Sequence, residues 1–166
     1  LALVLIGVTP TLMAQQQSSE VELAVMDHSH MPIAVPLSVP EPAIKLELHK
    51  DALPGFNLEL KTKNYSLKYP PREILKMSEL MGAAIDIKTG FVEGHAHLYI
   101  NGEKVQRVYS NNIHLPAKLL RSGINQITVS LNNHGHMYWV MGDKKVLATL
   151  FINPDLESPV LYRFSS

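Results

Sequence analysis

The chain has 166 residues, with 15 Lys plus Arg against 15 Asp plus Glu, so no net charge draws it to nucleic acid or to an anionic surface. It has no cysteine, which excludes disulfides, thiolate metal sites and cysteine nucleophiles. Its distinctive enrichment is eight histidines and seven methionines.

In chain order, residues 1–14 come first. The apolar run Leu1-Ala2-Leu3-Val4-Leu5-Ile6-Gly7-Val8 leads to small residues ending at Ala14, the pattern of a secretory signal peptide cut after Ala14. The run is too short to span a bilayer. This predicts an exported protein, in the periplasm or secreted, with no membrane span once the signal is removed.

Residues 15–43 read as a flexible arm. Gln15 to Glu20 is polar, and Pro32, Pro36, Pro40 and Pro42 resist both helix and central strand. Met26, His28, His30 and Met31 are soft or borderline donors of the kind that capture Cu(I) or Cu(II) and pass it on. Against this stands a solvated linker with chance histidines.

Residues 44–153 read as a β-sandwich domain. Ile44, Leu46 and Leu48 alternate with polar residues, as do Phe56, Leu58 and Leu60, which predicts two half-buried strands. A short segment follows at Tyr65–Tyr69. Residues 72–90 are ambiguous between a short helix over 72–81 and an irregular crossing loop. If the helix forms, Met77 and Met81 share a face, either as core packing or as thioether donors toward a histidine strand.

The stretch Gly94-His95-Ala96-His97-Leu98-Tyr99-Ile100 is predicted as a strand. Residues i and i+2 of a strand share a face, so His95 and His97 project together and Ala96 and Leu98 project the other way. Asn101-Gly102 is a type I′ hairpin signal, and Glu103 onward pairs back. Ile113-His114-Leu115-Pro116 is short and extended. Ile127, Val129 and Leu131 mark the inner face of another strand, which runs into His134-Gly135-His136-Met137, with Gly135 expected to free the loop to wrap an ion. Lys145 to Ile152 is the last strand of the domain, and residues 154–166 form a tail or edge strand. Short strands with turns between them, and no βαβ repeats, give an all-β sandwich.

His95, His97, His114, His134 and His136, with Met77, Met81, Met137 and Met141, form a candidate donor set at one end or edge of such a sandwich. Imidazole with thioether favours Cu(I) and accepts Cu(II) where histidines dominate. Three histidines also suit zinc, the less favoured choice. Calcium lacks a carboxylate cluster. Glu93 and Glu103 flank the histidine hairpin as candidate bases or outer partners. No nucleophile elbow, H-E-x-x-H, P-loop or dinucleotide fingerprint occurs, so support for catalysis is thin.

The segments GFVEGHAHLYINGEKVQRVYS (90–110), IHLP (113–116) and GINQITVSLNNHGH (123–136) resemble a group of exported bacterial proteins, several of them associated with periplasmic copper. The resemblance covers about residues 56–152 and is most specific over 94–104. It implies a cupredoxin-like or immunoglobulin-like β-sandwich, with His95, His97 and the His134–His136 loop as site residues, and a role in copper binding or homeostasis. The leading expectation is a protein that stores, buffers or delivers copper, meeting an envelope protein that gives or accepts the ion. The alternatives are a metal-dependent enzyme with an open coordination position, and a non-metal envelope interaction or adhesion module. The last predicts scattered histidines that do not converge, and the plain reading of His95 and His97 is a surface pair facing water.

Overall fold

The computed structural model describes residues 30–71 and 76–166. The signal segment, Met26, His28, residues 72–75 and the Met77 side chain lie outside the described residues. Two sheets face each other. The larger has nine strands and the smaller three.

The strands in chain order are β1 (Pro32–Ala34), β2 (Ala43–Lys50), β3 (Gly55–Lys63), β4 (Tyr65–Leu67), β5 (Val92–Ile100), β6 (Glu103–Val108) and β7 (Asn112–Pro116). Then follow β8 (Asn125–Asn132), β9 (Tyr138–Met141), β10 (Lys144–Lys145), β11 (Leu147–Ile152) and β12 (Val160–Ser165). A short α-helix, α1, spans Met77–Met81. Strands β2, β3 and β7 form the small sheet, antiparallel throughout. In the large sheet β8 lies between β5 and β11. β6 and β4 extend it beyond β5, β12 flanks β11, and β9 with β1 and β10 joins at the end of β8.

Period-two alternation builds the core. Ala96, Leu98 and Ile100 of β5 and Ile127, Val129 and Leu131 of β8 point inward with Ala148, Leu150 and Ile152 of β11. They are fully buried in one cluster with Ile44, Leu46, Leu58, Leu60 and Leu115 of the small sheet. Burial of each such side chain contributes about 1.5–3 kcal/mol. The expected hairpin forms, with Asn101 at φ 53° and Gly102 at φ 86° as a type I′ turn requires. This is an almost all-β, two-sheet architecture of generic β-sandwich type. Among the described residues no helix is long and apolar enough to cross a membrane.

Three features differ from the expected elements. Pro32–Ala34, within the stretch read as an arm, is a strand that pairs in parallel with β9. Proline is tolerated there because β1 sits at an edge and Pro32 opens the strand. The N–H groups of Tyr138 and Val35 complete the ladder by donating to the carbonyls of Met31 (3.0 Å) and Val140 (2.9 Å). The strand expected over Lys145–Ile152 is divided at Val146, whose N–H donates instead to Trp139 (2.9 Å). Helix α1 is confined to five residues, and no side chain caps its start.

Candidate metal centre

Alternation along β5 sends Glu93, His95, His97 and Tyr99 to the face of the large sheet away from the core. His95 and His97 are nevertheless only 2% and 0% exposed. The Tyr109 ring lies 5.4 Å from that of His95, and the loop after β8 brings the His136 ring within 4.8 Å of His95 and 5.3 Å of His97. The expectation that the two histidines share a face holds. The alternative in which they face water does not, because these rings cover them.

The ring nitrogens converge. His95 Nε2 lies 2.9 Å from His97 Nε2, and His136 Nδ1 lies 3.2 Å from the same His97 atom. The three residues present ligand atoms within 4.8 Å of one another. Burial, reinforced by the neighbouring imidazoles His97, His136 and His134 and by Arg107, pushes the His95 pKa down to about 2. His95 is therefore neutral at physiological pH, with a lone pair free of proton competition. Its Nδ1 is buried and has no hydrogen-bond partner.

Local structure explains how these rings are held. A Cβ at Gly94 would stand 2.1 Å from the carbonyl oxygen of Asn132, so only glycine lets β5 approach β8 this closely. The buried Tyr65 hydroxyl shares its proton between the carbonyls of His95 (2.9 Å) and Asn132 (2.7 Å). Burial holds this phenol far above its usual pKa, so it remains a donor. In the loop, Asn133 donates to the carbonyls of Leu80, Met81 and Gly82 at the end of α1. Its Oδ1 accepts from Met137 N–H (2.9 Å). His136 takes φ 72°, a left-handed conformation that costs about 1–3 kcal/mol for a non-glycine residue and concentrates at functional sites. Gly135 has a different role from the freedom expected of it. A Cβ there would lie 2.7 Å from Leu80 O and 2.9 Å from Met81 Sδ, so the glycine permits close packing on α1.

His134 stands apart from the three converging rings. Its Nε2 lies 3.1 Å from Glu93 Oε1, and the other carboxylate oxygen of Glu93 is 2.6 Å from Lys68 Nζ. In the tautomer that satisfies this contact, His134 donates through Nε2 to the carboxylate oxygen. Its buried Nδ1 then carries a lone pair without a partner. Lys68 also pairs with Asp86 at 3.3 Å. The backbone N–H of Lys88, then Ser66 and Lys68, hold the Asp86 carboxyl down at about 2.

The remaining expected donors that the structure describes lie as follows. His114 is on the small sheet, with Nδ1 2.7 Å from Asp51 Oδ2. Met141 packs at the core margin beside Val35 and Val39. Met137 is half-buried in the loop and ties it by its backbone. Met81 reaches the back of that loop at Gly135. His30 and Met31 are exposed just before β1. Their carbon chain leads into the strand beside β9, two residues past His136, but no side-chain contact joins them to the cluster.

Sequence reasoning missed three contributors. Tyr65, Tyr109 and Lys68 lie far from the histidines in sequence and act through tertiary contact. A second grouping, Glu47, His49 and Glu59, lies on the exposed face of the small sheet. Lys61 pairs with Glu47 (2.8 Å) and His49 with Glu59 (3.1 Å), which is the charge compensation expected of facing strands.

At metal–nitrogen distances of about 2.0–2.1 Å, nitrogens 2.9 and 3.2 Å apart subtend roughly 90° and 100° at an ion. The donor set therefore fits a metal of the imidazole-binding group, copper, zinc or nickel, and leaves a coordination position outside the protein's own ligands. No protein-family model, curated protein or solved structure matches the chain.

Proposed function

We propose that the protein is an exported, periplasmic copper-binding protein of cupredoxin-like or immunoglobulin-like type that stores, buffers or delivers the ion. The observation that carries this reading is the convergence of His95, His97 and His136 nitrogens at 2.9 and 3.2 Å in a buried setting. Burying two imidazoles and half-burying a third on the outer face of a sheet costs stability relative to apolar side chains, and a ligand that needs nitrogen donors accounts for that cost. For equal geometry, copper(II) binds an all-nitrogen set more tightly than zinc. The Cu(I) preference expected from sequence rested on methionine sulfur, which lies outside the three-imidazole set, so Cu(II) now stands beside it.

The test is titration of the apo protein with Cu(I), Cu(II) and Zn(II), followed by elemental analysis. One equivalent of copper should bind tightly, and His97→Ala or His136→Ala should weaken it at least 100-fold, whereas His114→Ala should leave it intact. Equal binding by the parent and both cluster variants would refute the site.

A second reading, a metal-dependent enzyme, is favoured by one observation. His136 is only partly buried, unlike His95 and His97, so an ion held there would have its most accessible ligand on that side. Turnover of a bound substrate by the copper-loaded protein would distinguish it from storage.

A further inference from the structure

The outer face of the large sheet is roofed at one end and open at the other. Over His95 and His97 it is covered by Tyr109 and the loop before β9. One step along β5, Tyr99 borders a cavity of about 230 Å³ whose walls include Gln126, Thr128, Ser130, Tyr138 and Lys145.

This cavity abuts the histidine cluster on two sides. The Tyr99 ring lies 6.4 Å from that of His97, and Ser130 is the cross-strand partner of His97. Tyr138 lies two residues past His136. Lys145 is the only charged side chain in the lining, and no carboxylate lines the cavity. Its ammonium sits 4.0 Å above the Tyr138 ring, held by cation–π attraction. Among the described residues no carboxylate lies within ion-pair distance of it. The polar floor is ordered, with Thr128 bonded to Thr149 at 2.9 Å and Ser130 donating to Asn132 at 2.7 Å. Leu147 and the two phenol rings supply apolar wall.

A lone, oriented cation beside hydroxyls and aromatic surface selects a small organic monoanion. A phosphate dianion is better served by several cations or a run of backbone N–H groups, and neither lines this cavity. We propose that the cavity binds a small organic carboxylate, with its anionic end on Lys145 and its body against Tyr99, alongside the three-histidine centre. The volume limits the ligand to about one ring. The placement beside the ion rests on the metal-binding reading, whereas the cavity's preference for an anion does not.

The experiment uses the full chain, benzoate as the probe and benzamide as its neutral twin. By calorimetry on the apo protein at low salt, benzoate should bind about tenfold more tightly, the effect of one charge-assisted hydrogen bond. Lys145→Gln should remove that preference and Lys145→Arg should keep it. Equal affinity for the two probes, or a preference that survives Lys145→Gln, overturns the proposal. In the Cu(II)-loaded parent, benzoate should shift the copper electron-spin-resonance spectrum, and a spectrum unchanged at saturating benzoate overturns the placement beside the centre. Failure of copper to bind would count against the metal reading, while the apo comparison would still decide the cavity.

Discussion

At the residue scale, His95 carries a stability consequence. Its pKa is depressed to about 2 in the folded chain by burial and by the neighbouring imidazoles and Arg107, while an unfolded histidine titrates near 6.5. Between those values the unfolded state binds the extra proton, so stability rises with pH and is lost as pH falls below about 6.5. From pH 7 to pH 5 this one group should remove about 2 kcal/mol. Carboxylates such as Asp86, held near 2, stay ionised over that interval and contribute nothing to the change. Urea midpoints of the apo protein at the two pH values measure the effect, and His95→Gln should flatten the dependence. A parent midpoint that does not move would show that His95 is neither buried nor neutral as described. His134 has a different contact, with its Nε2 placed against Glu93. Glu93→Gln replaces an ionised acceptor that serves both His134 and Lys68, and should destabilise the fold by about 1–2 kcal/mol, since Lys68 is partly solvated. The same variant should leave copper bound by the other three histidines.

At the element scale, the loop between β8 and β9 completes the site. It brings His136 onto His97 only because Gly135 can lie against the end of α1 and Asn133 can reach three of its carbonyls. Gly135→Ala would push a methyl group to 2.7 Å from Leu80 O, backbone that cannot swing aside. Overpacking of this kind costs about 1–3 kcal/mol. The larger consequence should be on the site: copper affinity should fall at least tenfold while the β-sheet circular dichroism is retained. Unchanged affinity would mean that His136 is not held by this packing. The β5–β6 hairpin was legible in the sequence because its signals are local, Asn101-Gly102 for the turn and a period of two for the shared face. The loop was legible only in part. His134 and His136 look equivalent in sequence, and what separates them is nonlocal. Glu93 takes His134 from another strand, and His136 reaches the cluster through a left-handed backbone conformation that no residue type announces. Strand β1 escaped for the same reason: three residues carry no periodicity, and their partner β9 lies near the other end of the chain.

At the scale of the whole molecule, the two-sheet fold follows from alternation that sends Leu58, Leu98, Val129 and Leu150 to one interior and leaves the opposite faces to polar residues. His114 illustrates where that logic stops. The sequence places it in a short extended segment, and only the assignment of β7 to the small sheet sets it opposite Asn57 and beside Asp51 and removes it from the site. The cluster itself joins β5 to the loop after β8, so an ion bound there adds a crosslink to the β5–β8 ladder, the Tyr65 hydroxyl and the close approach at Gly94. A ligand that binds only the folded state stabilises it by mass action, by about 2.7 kcal/mol at a free concentration 100 times its dissociation constant. For a domain of this size that corresponds to a rise in Tm of roughly 5–11 °C. Thermal melts with buffered copper should show the rise in the parent and lose it in His97→Ala, because His97 Nε2 is the atom both other rings approach. Copper attracted only to exposed groups such as Glu47, His49 and Glu59 would shift the parent and the variant equally, so the difference between the two melts separates a crosslinking centre from surface binding.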